Sequence, residues 1–221
     1  MASVTPWREA SLAVVDLETT GLDPEVHEVL SVAVIPVDHG RIHLDSVLYR
    51  TVRPEVPPDR RTIVIHGIRP VDAQQGSSSA DVAAEVLEHV QGRILVAHVA
   101  RIELSFLRTW LPDYRPATVI DTDALARLLI ARGGGPVMKA HIALGAAAGL
   151  FGLPEHRRHH ALGDALTTAQ LFLATASILS PGGDDASIEM LSRADRLLAR
   201  KVRRRFTWRL RGRGASGERR A

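Results

Sequence analysis

Apolar positions in the first half of the chain gather in short runs of strand length. Residues 11–16 (SLAVVD) are apolar and end on a carboxylate, which predicts a buried strand. Residues 29–37 (VLSVAVIPV) predict a second strand, with Pro36 marking an edge or an end. Asp38-His39-Gly40 is a turn signal, so residues 41–52 are predicted as a third strand in a hairpin with the second. Proline-rich residues 54–70, with TIVIHGI at 62–68, predict loop, as do residues 74–79. Beyond them the spacing becomes helical. Residues 80–90 predict a helix after a serine-rich cap, 93–98 (RILVAH) a strand, and the residues to about Leu111 an amphipathic helix. A strand at 117–121 (ATVID) and helices at 124–131, 139–149 and 162–179 complete the pattern. The order implies an α/β fold, a mixed sheet flanked by helices.

Pro181-Gly182-Gly183-Asp184-Asp185 is the clearest boundary. It divides the chain into a domain at 1–183, with its core at about 10–180, and a tail at 184–221. Charge divides the chain in a similar place. Residues 193–221 hold 12 basic and 2 acidic residues, whereas residues 1–192 hold 16 basic and 23 acidic ones. The body is acidic and the tail strongly basic. Residues 186–206 place Ile188, Leu191, Leu198, Val202 and Phe206 at helical spacing, which predicts a basic amphipathic helix. It could attract phosphates, with Phe206 and Trp208 stacking on bases, or dock on an acidic surface, or pack on the domain. Residues 212–221 are expected to be disordered.

Hydrophobic residues at 45% and charged residues at 24% exclude wholesale disorder. The absence of cysteine excludes disulfides and thiolate zinc sites. No apolar run reaches the roughly 18 residues of a membrane span, and an early aspartate argues against a secretory signal. A cytoplasmic setting is the expectation.

Three constellations carry candidate chemistry. In Asp16-Leu17-Glu18-Thr19-Thr20-Gly21-Leu22, strand alternation projects Asp16 and Glu18 from the same side. Two neighbouring carboxylates repel unless a cation neutralises them, and oxygen-only ligands suit Mg²⁺ or Mn²⁺. In His159-His160-Ala161-Leu162-Gly163-Asp164-Ala165, Asp164 starts an apolar helix with His159 just before it. Neutral imidazole can take a proton from water near neutral pH. In the third, a strand ends at His98 and Glu103 lies early on the next helix, with Ile102, Phe106 and Leu107 as its buried stripe.

Taken together, these residues resemble the DEDD superfamily of 3′–5′ exonucleases in its histidine subclass, as in the epsilon proofreading subunits of bacterial replicative polymerase and their stand-alone relatives. The motif D-x-E-T-T-G is complete at 16–21 and H-x-A-L-x-D-A at 159–165. His66-Gly67-Ile68 and Val119-Ile120-Asp121-Thr122 match further features. The second motif departs from the family pattern: Val99 stands for asparagine, Ile102 for phenylalanine and Glu103 for aspartate.

The resemblance implies an RNase H-like fold of five central strands, the second antiparallel to the rest, and two-metal hydrolysis of DNA from its 3′ end to nucleoside monophosphates. It implies that Asp16, Glu18 and Asp164 hold one Mg²⁺ or Mn²⁺ ion. Asp16 bridges to a second ion, which Glu103 helps to hold. His159 becomes the general base, and Thr19, Leu22 and His66 lie beside the terminal nucleotide. The implied partners are a single-stranded DNA 3′ end, with RNA as the alternative, and a DNA polymerase subunit, in replication, repair or proofreading. Two rival readings are a weakened nucleic-acid-binding module of such a complex and an exoribonuclease.

Overall fold

A computed structural model of the chain describes residues 5–136, 138–180 and 185–199. Six strands form one sheet: β1 (Ser11–Thr19), β2 (Val29–Asp38), β3 (Arg41–Ile42), β4 (Leu48–Thr51), β5 (Ile94–Ala97) and β6 (Val119–Asp121). The helices are α1 (Arg60–His66), α2 (Pro70–Gln74), α3 (Ser79–Val90), α4 (Arg101–Trp110), α5 (Thr122–Arg132), α6 (Leu144–Leu150), α7 (Ala161–Leu179) and α8 (Ile188–Leu191). The architecture is the expected α/β one, and β2 runs antiparallel to β1 while β5 and β6 run parallel to it.

The sheet has one more strand than expected, because the predicted third strand is interrupted. β3 and β4 both pair with β2, separated by a 3-10 turn at Leu44–Ser46. Pro36 accounts for the gap. Its carbonyl accepts the N–H of His43 (3.0 Å), so this edge of Pro36 faces the third-strand side. In a strand the N and C=O of one residue point the same way, so the missing proline N–H faces that edge too. The ladder breaks where it lacks a donor.

β1 is the central strand, flanked by β2 and β5. Its alternation feeds two separate cores. Leu12 and Val14 pack with Ala124, Leu128, Ala165 and Phe172 of the α5/α7 layer. Ala13 and Val15 pack with Val82, Val86, Phe106 and Leu107 of the α3/α4 layer. Burial on both faces explains why residues 12–15 are a continuous apolar run. Asp16 and Glu18 share the parity of Leu12 and Val14, and so leave the strand on the α7 side. α7, 19 residues long and with an 18-residue window of mean hydropathy 1.3, is long and apolar enough to cross a bilayer by length and composition alone. Here it is the core helix, with Phe172 fully buried and edge-on to Trp7 at 5.7 Å between ring centroids.

The stretch predicted as proline-rich loop contains α1, and α2 starts at its last residue, Pro70. Asp59 caps α1 by accepting the N–H groups of Arg61 (2.9 Å) and Thr62 (3.0 Å). Gly67, at φ 73, closes it with an N–H to Ile63 (2.8 Å). An acid cap and a left-handed glycine outweigh the surrounding prolines.

Residues 185–199 are joined to the core. Pro6 bridges Ser187, Trp7 N–H bonds the Ala186 carbonyl, and Ile188 N–H bonds that of Thr5. Ile188, Leu191 and Leu198 are buried there, while Arg193 and Arg196 are exposed. The expected Val202, Phe206 and Trp208 contacts, and the disorder expected at 212–221, lie outside the described residues.

Candidate active site

β1 delivers two acids and then turns sharply. The β1–β2 register shifts between Glu18 and Thr19, a bulge that re-aims the chain next to the site. Thr19 Oγ1 donates to the Gly21 carbonyl (2.6 Å), and Thr20 exchanges bonds with Glu28 through its N–H and its hydroxyl (both 2.9 Å). The His27 ring lies against Gly21 where a Cβ would stand, so a side chain here would have to displace that ring. Glu28 in turn accepts the N–H groups of Glu55 and Val56, anchoring the approach to α1.

Asp164 comes from the first turn of α7. Carboxylate oxygens of Asp16, Glu18 and Asp164 all lie within 4.8 Å of one another. Glu103, from α4, lies outside that group of three but is 9% exposed and lines the same cleft as Glu18. Burial, then the charges of Glu103, Asp164 and Glu18, hold the Asp16 carboxyl well above the usual carboxylate range. Burial pushes Glu18 to about 7, with Asp164 adding to the rise. Burial also pushes Glu103 to about 8, against a bond from its own backbone N–H and with help from the Asp121 and Glu18 charges. Asp164 is raised by burial as well.

Four acids in this state cannot all ionise at neutral pH by themselves. Glu103 Oε2 is buried with no hydrogen-bond partner, a costly arrangement for a carboxylate. A divalent cation held by Asp16, Glu18 and Asp164 would relieve the repulsion among them. The donors are all carboxylate oxygens, which fits Mg²⁺ or Mn²⁺ and disfavours soft metals.

His159 stands exposed at the rim in a left-handed conformation (φ 51). Its backbone N–H bonds Asp164 Oδ2 at 2.8 Å. The loop that carries it is well seated. His160 stacks on Tyr49 (4.9 Å, 26°), His156 meets Gln170 through its ring, and the Arg157 backbone lies directly on Gly163. His66 is 6% exposed. Its Nδ1 accepts the Ile68 N–H (3.0 Å), which leaves the proton of the neutral ring on Nε2. That Nε2 is buried and unpartnered. Burial, with the nearby His159, lowers the His66 pKa.

A cleft of about 230 Å³ runs beside these acids and is lined by Glu18, Thr19, Leu22, His66 and Glu103. Every residue singled out from sequence therefore lies in the acid group, in the cleft, or on the loop bonded to Asp164. Thr62, Ile65, Ile102 and Phe106 also line the cleft and were not expected there. Thr62 and Ile65 are hidden in the sequence because the prolines around α1 point to loop, and Ile102 and Phe106 because a stripe at i, i+4 reads as ordinary core.

The profile of the family described as Exonuclease matches residues 13–172, which span both β1 and the Asp164 turn. The chain belongs to the exonuclease family. The motif resemblance thus extends over residues 13–172. This exonuclease-family chain is 33% identical over 184 residues to the PolC-type DNA polymerase III of Thermotoga petrophila, covering 80% of this chain and 13% of the polymerase. It is 29% identical over 165 residues to the DNA polymerase III subunit epsilon of Aquifex aeolicus, covering 75% of this chain and 80% of that one. The solved structure of Exonuclease X in complex with 5′ overhanging duplex DNA superposes with a TM-score of 0.64 at 24% identity, covering 83% of this chain and 98% of that one.

Proposed function

We propose that this chain is a divalent-metal-dependent 3′–5′ exonuclease that shortens DNA strands from the 3′ end and releases nucleoside monophosphates. The observation that carries this reading is the convergence of Asp16, Glu18 and Asp164 within 4.8 Å, beside a buried Glu103 whose Oε2 lacks a partner. The polymerase III names of the relatives favour DNA as substrate and a polymerase subunit as partner, and with them a cytoplasmic setting.

Asp16, Glu18 and Asp164 would hold one ion, and Asp16 with Glu103 a second. When bound, two such ions stabilise the attacking and leaving oxygens of an in-line displacement at phosphorus. The protein's residues supply the rest. The acids keep the cleft from admitting an anionic phosphodiester until cations are in place. His159, free at the rim and fixed through its backbone to Asp164, takes the proton of the attacking water on an imidazole nitrogen. The neutral His66 offers its Nε2–H to an oxygen of the terminal nucleotide. Exposed Leu22 (81% exposed) supplies an apolar face for the terminal base, and Thr19 lies beside it.

The test is digestion of 3′-labelled and 5′-labelled single strands with Mg²⁺ or Mn²⁺, with and without a chelator. We expect mononucleotides released from the 3′ end and complete inhibition by the chelator. Intact oligonucleotides with either ion would instead leave a nucleic-acid-binding module. DNA and RNA competing in one digestion decide the sugar, and preferential loss of RNA would make the chain an exoribonuclease.

A further inference from the structure

The end of β6 carries another acid beside this group. Asp121 Oδ1 accepts the N–H of Val99 (3.0 Å) and of Asp123 (2.9 Å), and its Oδ2 accepts that of Ala100 (3.1 Å). Three backbone donors from two helix starts thus meet on one side chain. Val99 is the exceptional one. It sits at φ 57, a conformation that a β-branched residue strongly disfavours and asparagine tolerates. The turn it makes is the foundation of α4. The Val99 carbonyl accepts the Ile102 N–H (3.0 Å), and the Ala100 carbonyl accepts that of Leu104 (2.9 Å). Glu103 lies between these two donors. Moving the turn moves Glu103.

We propose that Asp121 is a positioning residue of the active site: its carboxylate clamps the left-handed Val99–Ala100 turn and thereby fixes the Glu103 carboxylate in the cleft that it lines with Glu18. The proximity is also felt electrostatically, since the Asp121 charge is among those raising Glu103. A family member with asparagine at this turn needs less help in holding it, whereas a valine there depends on an external clamp. The clamp rests on the two-ion reading above, and it concerns only the Glu103 side of the site.

Mn²⁺ titration followed by calorimetry and electron paramagnetic resonance tests it without relying on turnover. The wild-type chain should bind two ions. D121N keeps acceptors for Val99 and Asp123 but presents an amide N–H₂ to the Ala100 N–H. One ion should weaken by about tenfold or more while the other is unchanged, in keeping with the usual cost of losing an outer-shell partner. Turnover of a single-stranded oligonucleotide should fall by about the same factor, with KM within about twofold. V99N in the same chain should recover most of both losses, because asparagine adopts the turn without the clamp. V99N also supplies a relaxed background in which D121N can be compared if the single variant is too unstable.

Two wild-type affinities in D121N would overturn the proposal. So would an equal weakening of both ions in step with a lower melting temperature, which marks a general structural role. An undiminished loss in the V99N background would assign the effect to the Asp121 charge and overturn the clamp as well. If the wild-type chain bound no Mn²⁺ at all, the two-ion reading would fail first and the clamp with it.

Discussion

The carboxylate of Asp164 accepts the backbone N–H of His159 at 2.8 Å, so one acid of the cluster also fixes the turn that presents the imidazole. The bond costs the imidazole nothing, because it uses the main chain and leaves both ring nitrogens available. It also explains how His159 holds φ 51, a conformation that a non-glycine residue keeps only when its surroundings require it.

Substituting His159 by Asn separates the ring from the turn, since asparagine tolerates the left-handed conformation. Turnover should drop by about 10² to 10⁴, the range of a lost general base. Mn²⁺ affinity should stay within about threefold, because the bond to Asp164 comes from the backbone. Steady-state kinetics beside calorimetry checks both, and an unchanged rate would remove His159 from the proton-transfer role.

Metal dependence of stability should itself depend on pH. Glu18 and Glu103 are raised to about 7 and about 8. For an acid raised on folding, the stabilisation is complete below the unfolded value and is lost as pH rises through the folded one. The metal-free protein should therefore lose stability between pH 6 and 8.5. A bound cation favours the ionised acids, so the rise in melting temperature on adding Mg²⁺ or Mn²⁺ should be larger at pH 8.5 than at pH 6. Scanning calorimetry at the two pH values measures it, and an equal rise at both would show that the acids do not share an ion.

Val99→Asn should stabilise the protein. Left-handed strain in a non-glycine residue is worth about 1–3 kcal/mol. Relief of about 1 kcal/mol corresponds to a rise of about 2–4 °C in melting temperature for a chain of this size. A lower melting temperature would mean that the valine side chain packs better than its backbone conformation suggests.

Gly163→Ala should reverse the usual helix rule. A glycine replaced by alanine inside a helix normally gains about 1 kcal/mol. Here the new Cβ would overlap the Arg157 carbonyl, so the loop carrying His159 must shift. The melting temperature should fall and turnover with it, while circular dichroism keeps its helical signature. A more stable and fully active variant would show that the loop yields freely.

Much of the site was visible in the order of residues, because its acids sit at positions governed by short-range geometry. Asp16 and Glu18 follow from strand alternation, and Asp164 from its place at a helix start. The helix α1 was present in the sequence too, in Asp59 and Gly67, but the prolines around it pointed to loop. The break between β3 and β4 was marked by Pro36, whose missing donor matters only once a neighbouring strand is known to lie on that edge. Glu103 was legible as a carboxylate on a helix, while its burial and its unpartnered Oε2 were not.

The sequence by itself determined the strand and helix periods, the apolar run of β1 and the motifs at 16–21 and 159–165, because each depends on neighbours a few bonds away. Tertiary structure alone decided that Glu103 is buried in a cleft shared with Glu18, that Asp121 gathers three backbone donors, and that His66 faces that cleft with an unpartnered Nε2. Those facts join residues from β1, α1, α4, β6 and α5. Desolvation and charge repulsion between them arise only when packing brings distant segments together and removes the water that had screened them.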